Sequence, residues 1–178
     1  MRRSIIPVAV LAALLACGGT LPEPSADASQ DLAPPIELVS AGVYRGRRPD
    51  QATLQNLKAL GVRTILDLED DSGAVAREKK AVAALGMSFI TEPMSGFWWP
   101  NDGEVNQIEA IMADTARRPI FVHCLHGEDR TGLVVGLFRV FTQHWKPADA
   151  YKEMIAKGFH QLLFLLNHYY EQKTGWDD

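Results

Sequence analysis

Residues 122–132, Val-His-Cys-Leu-His-Gly-Glu-Asp-Arg-Thr-Gly, place Cys124 six positions before Arg130, with Gly127 between them and Thr131-Gly132 directly after. An apolar run, Ile120-Phe121-Val122, precedes them and reads as a buried strand; the almost wholly apolar stretch 133–141 that follows reads as a buried helix. A strand, a glycine-containing loop and a helix N-terminus form an anion cradle, because successive backbone N–H groups and the helix dipole converge on one spot. A cysteine placed there beside an arginine is held as the thiolate, the nucleophilic form. Such a thiolate can attack phosphorus and form a phosphocysteine. Arg130 offers a planar fork matching two phosphoryl oxygens. The N–H groups of Leu125, His126, Gly127, Glu128, Asp129 and Arg130 are expected to hold the equatorial oxygens where charge develops. Thr131 either caps the helix or sets its hydroxyl beside the sulfur. Gly127 permits a backbone conformation that a side chain would obstruct. His123, ending a buried strand, is expected to orient the thiolate as a hydrogen-bond partner, and His126 to point from the loop toward substrate.

The segment from His123 to Gly132 resembles the H-C-x-x-G-x-x-R-T-G loop of cysteine-dependent protein tyrosine and dual-specificity phosphatases. Gly42-Val43-Tyr44-Arg45-Gly46 and Gly61-Val62-Arg63-Thr64-Ile65-Leu66-Asp67-Leu68 resemble the opening of the compact atypical members. Phe138-Arg139-Val140, Trp145 through Ala150, and Glu153-Met154 resemble their C-terminal helices. The resemblance implies hydrolysis of a phosphate monoester in two steps, with an aspartate on a loop before the cysteine as general acid. Trp99-Pro100-Asn101-Asp102 resembles that loop with one residue inserted, which makes Asp102 the candidate proton donor. Gly96 and Gly103 are candidate hinges, and the tryptophans candidates for closing over the substrate. The other reading of Asp102 is a cap on the helix beginning near Gly103. Cys-x-x-Gly-x-Asp-Arg-Thr also occurs in the myotubularin phosphoinositide phosphatases, so Asp129 either donates a proton, pairs with Arg130 or points outward. Phosphotyrosine or another aryl phosphate is the first expected substrate, and an inositol phosphate the second. A rhodanese-type sulfurtransferase and a phosphate-binding pseudophosphatase are the alternatives from other classes. No cofactor or metal is expected, since no spacing of histidines and carboxylates points to one.

The elements that must position these residues alternate. Strands are predicted at about 43–45, 64–67, 88–92 and 120–123, and helices at about 50–60, 73–85, 103–116, 131–143, 147–156 and 160–171. That alternation predicts an α/β fold: a mainly parallel sheet flanked by helices, with ligands bound beyond the carboxyl ends of the strands. Arg45, Arg47 and Arg48 are candidates for the mouth of the site, with solvated surface charge expected for at least two of them. The apolar run 162–166 is expected to cover the sheet.

Arg2-Arg3, an apolar run of about twelve residues and Leu14-Leu15-Ala16-Cys17, similar to a bacterial lipobox, read as a lipoprotein signal. The expected organisation is a signal peptide over 1–16, a lipidated Cys17 with a tether over 17–35, and a phosphatase domain over 36–178. An ordinary secretory signal and an uncleaved anchor are the alternatives. Two or more acyl chains would attach the chain stably to a membrane in the bacterial cell envelope, with the outer membrane or periplasmic face expected over the cytoplasm. Lipid on Cys17 leaves Cys124 without a disulfide partner. Removing Arg2 and Arg3 lowers the 18 basic residues to 16, against 22 acidic ones, a balance that argues against nucleic-acid binding.

Overall fold

The computed structural model describes residues 36–176. The signal, lipidation and tether expectations therefore lie outside the described residues. Five strands form one sheet: β1 (Glu37–Ser40), β2 (Val43–Arg47), β3 (Thr64–Asp67), β4 (Ser88–Thr91) and β5 (Ile120–Cys124). Their spatial order is β1-β2-β5-β3-β4. β1 runs antiparallel to β2, and every other pairing is parallel. The helices are α1 (Gln51–Ala59), α2 (Ser72–Ala84), α3 (Asp102–Ala113), α4 (Asp129–Phe141), α5 (Pro147–Ala156) and α6 (Phe164–Thr174), with a 3-10 turn at Thr115–Arg117. This is the expected α/β fold with a mainly parallel sheet.

Strand alternation separates two cores. Leu66 and Leu68 from β3 and its exit, with Ile120, Val122 and Cys124 from β5, face one core, shared with residues of α3, α4, α5 and α6. Ile65 and Phe121 face the other, against Leu54 and Leu57 of α1 and Val82 of α2. α4 is the central helix, buried from Thr131 to Arg139. It crosses α5 closely because Gly136 has no side chain: a Cβ there would lie 2.3 Å from the Met154 sulfur. Arg139 ties three elements together, with two bonds to Glu153 at 2.8 and 2.6 Å and one to the Val39 carbonyl at 2.7 Å. Its guanidinium also stacks over Trp145, 4.2 Å from the ring centroid.

Several boundaries differ from expectation. β1 was not foreseen: four residues at a sheet edge, pinned through Val39, carry too little alternation to stand out. α4 begins at Asp129 instead of near 131, which draws Asp129 and Arg130 into its first turn. α6 begins at Phe164 instead of His160. The run 162–166 accordingly does not cover the sheet as one block. Leu166, Tyr169 and Tyr170 are buried, whereas Leu162, Phe164 and Leu165 are exposed.

Candidate active site

Cys124 ends β5 at the carboxyl edge of the sheet, and the loop 125–128 carries the chain into α4. The strand end is fixed from both sides, by Arg48 N–H donating to the Leu125 carbonyl at 3.3 Å and Leu68 N–H donating to the His123 carbonyl at 3.0 Å. Inside the loop the Gly127 N–H points at the Cys124 sulfur, 3.3 Å away. Gly127 has φ +77°, and a Cβ there would come within 2.5–2.6 Å of the Gly46 and Arg47 backbone, so the loop packs directly on β2. Glu128 occupies the N-cap position of α4 without a side-chain capping bond, leaving the first-turn amides to an anion.

Arg45 lies beneath this loop. Its side chain is buried, and its Nη2 donates to the Gly127 carbonyl at 2.7 Å. Desolvation lowers its pKa, while the nearby Glu37, Glu153 and Cys124 charges work in the opposite direction. Of the three arginines considered for the mouth, Arg45 is thus a buried anchor. Arg48 is engaged by Glu69 through a bidentate pair. Arg47 lines a second cavity of about 430 Å³ on the far flank of the loop, together with Arg45, His126 and Lys157. Cys124 does not line that one.

His123 is fully buried, with Nε2 2.8 Å from Glu78 of α2 and Nδ1 3.9 Å from Asp67 at the end of β3. Burial pushes the Asp67 carboxyl up to about 6, against an opposing pull from His123. Asp67 accepts the Glu69 N–H at 2.8 Å. Two groups of carboxylates and histidines are therefore brought together that no sequence spacing announced: Asp67, Glu69 and His123 under the loop, and Glu128, Asp129 and His160 at its rim. In the first, Glu69 already pairs with Arg48; in the second, Asp129 already holds His160.

The cavity containing Cys124 measures about 460 Å³ and is lined by Asp70, Gly96, Phe97, Leu125, His126, Asp129, Arg130, His160, Leu162 and Leu163. The cysteine and arginine of the motif thus meet in one cavity, and His126 and Asp129 line it with them. Arg130 reaches Asp70 at 3.1 Å and the Met94 carbonyl at 3.2 Å through Nη1, with its Nε 3.7 Å from where a Cβ on Gly96 would stand. Asp129 does not pair with Arg130 or point outward. It accepts the His160 N–H at 2.8 Å and lies 3.0 Å from His160 Nδ1. Thr131 is fully buried; its Oγ1 is unpaired among the described residues and takes no part in capping α4.

Asp102 stands elsewhere. The helix cap is Asn101, which accepts from the Gly103 and Glu104 N–H groups at 2.8 and 3.3 Å. Asp102 is the first residue of α3, bonded to Lys173 at 2.9 Å and accepting from the Tyr169 hydroxyl at 3.0 Å. Those two α6 partners, Lys173 foremost, hold its carboxyl below the usual range. Asp102 is not among the residues lining the Cys124 cavity. The preceding loop is docked the same way: Trp99 packs edge-on against His168 and Tyr169 of α6, Trp98 is exposed, and Phe97 alone of the three aromatics lines the cavity.

Asp70, Phe97, His160, Leu162 and Leu163 belong to the cavity and were not legible as site residues. Asp70 follows β3, whose exit beside β5 is set by strand order, and His160 is 31 positions beyond the residue that holds it.

Comparison with known proteins agrees with this geometry. The Pseudomonas aeruginosa dual specificity protein phosphatase TpbA is 27% identical over 134 residues, covering 74% of this chain and 59% of that protein. The inositol diphosphatase DSP1 of Oryza sativa is 30% identical over 122 residues, covering 64% and 53%. The chain therefore spans somewhat over half the length of these curated relatives. Among solved structures, the core catalytic domain of the PP-IP phosphatase SIW14 from S. cerevisiae superposes with a TM-score of 0.65 at 22% identity, covering 78% of this chain and 87% of that one. P. aeruginosa TpbA in complex with pTyr gives 0.64 at 20% identity, covering 80% and 91%. At those identities the structures show a shared fold. A family model described as a DSP-PTPase phosphatase fused to NAD+ kinase matches residues 27–163, and with most of its length inside that match the chain belongs to this phosphatase family.

Proposed function

We propose that this chain hydrolyses phosphate monoesters through a phosphocysteine on Cys124. One observation carries the reading: a buried cysteine sulfur, bonded by a loop amide at 3.3 Å, shares a cavity with Arg130 at the N-terminus of α4. The thiolate attacks phosphorus, the loop amides and Arg130 hold the equatorial oxygens, and water then cleaves the S–P bond. Buried Arg45 supplies positive charge near the sulfur, and the buried Thr131 hydroxyl is the candidate to ease thiolate departure. His123, wedged between Glu78 and Asp67, fixes the strand end that carries the nucleophile.

The cavity favours an aryl phosphate such as phosphotyrosine. Phe97, Leu125, Leu162 and Leu163 supply an apolar wall for a ring, while Asp70 and Asp129 repel a polyanion. The phosphotyrosine seen with TpbA agrees with that preference. The second reading, an inositol phosphate, draws on the inositol diphosphatase relatives and on His126 and His160 at the cavity wall. Attachment to the cell envelope through lipid on Cys17 is also part of the proposal, supported by the lipobox-like residues 14–17; globomycin sensitivity of processing would test it.

The deciding experiment assays phosphotyrosine peptides, phosphoserine peptides and inositol polyphosphates with wild type, Cys124→Ser and Arg130→Ala. Each variant should lose at least about 10³-fold in kcat/KM, and acid quenching should trap phosphate on wild type but not on Cys124→Ser. Undiminished turnover by Cys124→Ser would overturn the reading.

A further inference from the structure

The reaction needs a proton for the leaving oxygen, and the residue with the acid-loop signature is turned toward α6. The cavity offers four other side chains able to carry a proton: Asp70, His126, Asp129 and His160. Asp70 is committed to the Arg130 guanidinium, 3.1 Å from its Nη1. Among the described residues no hydrogen bond holds the His126 ring in one orientation, and this residue is shared with the far cavity. Asp129 and His160 are bound to each other.

Resting on the phosphatase reading above, we propose that His160, oriented by Asp129, is the catalytic proton donor to the leaving oxygen. The Asp129 carboxylate grips His160 twice, at the backbone N–H (2.8 Å) and at Nδ1 (3.0 and 3.2 Å). That grip fixes the proton on Nδ1 and makes Nε2 the ring nitrogen that exchanges one. The segment is anchored as well as bonded: Phe159, the residue before His160, is buried against α4, with its ring 3.4 Å from where a Cβ on Gly132 would stand. Asp129 is the first residue of α4, so the carboxylate that holds His160 and the anion cradle belong to the same helix N-terminus.

The steps balance. The Cys124 thiolate attacks phosphorus, the P–O bond to the leaving group breaks, and its electron pair takes the Nε2 proton of the His160 imidazolium. Neutral His160 then removes a proton from the water that attacks the phosphocysteine. The S–P bond breaks, the thiolate returns, and His160 is again charged. The charged groups around His160 are Asp129 and Arg130 on α4, Glu128 at its cap, Asp70 after β3, and the titratable His126 on the loop. Asp129 is a positioning residue in this scheme.

The test measures kcat/KM for aryl phosphates whose phenols range from strongly acidic to as weakly acidic as tyrosine, using wild type, His160→Gln, Asp129→Asn and Asp102→Asn. His160 is largely exposed, so its replacement leaves the fold intact. Wild type should be nearly indifferent to the leaving group. His160→Gln should lose about 10²-fold or more on the tyrosine-like ester and little on the most acidic phenol, and should lose the basic limb of its pH profile. Asp129→Asn should steepen the leaving-group dependence in the same direction but less than His160→Gln does. An unchanged leaving-group dependence in His160→Gln, or the expected pattern appearing in Asp102→Asn instead, would overturn the assignment while leaving the phosphatase reading intact. A wild type inactive on every ester would fail both.

Discussion

The Nη2 of Arg45 donates to the carbonyl of Gly127 at 2.7 Å, so a buried charge on the second strand sets the turn that aims the Gly127 N–H at the Cys124 sulfur. Replacing Arg45 by Met frees that carbonyl and removes positive charge near the nucleophile. A lost buried charge-assisted bond is worth about 1.5–3 kcal/mol, so kcat/KM should fall about 10- to 100-fold. The apolar isostere spares the cost of burying a charge, and the melting temperature should move by no more than about 4 °C. Steady-state kinetics with a parallel thermal melt checks this; unaltered kcat/KM would mean that the loop holds its shape without the anchor.

Gly127→Ala should be far more damaging. The added Cβ meets the Gly46 carbonyl group at 2.5 Å, and φ of +77° is strained for alanine. Strain of about 1–2 kcal/mol from the left-handed backbone adds to the overlap. Activity should drop at least about 10²-fold, and urea midpoints should reveal a destabilisation of about 3 kcal/mol.

Arg139 and Glu153 form a bidentate pair that joins α4 to α5, with the same arginine holding β1. Arg139→Met strands the partner carboxylate and the Val39 carbonyl, at a cost of about 3 kcal/mol. Adding Glu153→Met should restore part of the loss, because the uncompensated charge is gone. Denaturant titration of both single variants and the double variant measures that coupling, and strict additivity would contradict it.

Burial raises the Glu109 carboxyl from 4.5 to about 7, with Lys173 acting against the shift. The folded chain then binds this proton more tightly than the unfolded chain does. The contribution of this carboxyl to stability is therefore fully present below about pH 4.5, is lost as the pH rises through about 7 and stays lost above. Asp67, raised to about 6, adds a fall of the same sign over a lower window. Glu109→Gln should flatten its share of the profile and gain about 1–3 kcal/mol at pH 8. Urea midpoints at pH 5, 6, 7 and 8 test it; parallel profiles for variant and wild type would contradict the burial effect.

What the sequence determined by itself lies within short reach along the chain. The glycine in the loop, the cysteine and arginine on either side of it, the strand before and the helix after are neighbours, and their hydrogen bonds follow from local backbone geometry. Strand–helix alternation likewise made the parallel sheet legible, since each crossover needs its helix. Tertiary structure decided the rest. Strand order seated Arg45 under Gly127 and brought Asp67 to His123, and the packing of α2 on the sheet added Glu78. Packing of α6 drew Trp99 and Asp102 away from the cavity, because Tyr169 and Lys173 offer that carboxylate stronger partners than open solvent. Burial of Phe159 on α4 delivered His160 to Asp129. Each of these contacts joins residues 20 or more positions apart, and only the close-packed core selects them, since no local propensity encodes which distant side chains will share one volume.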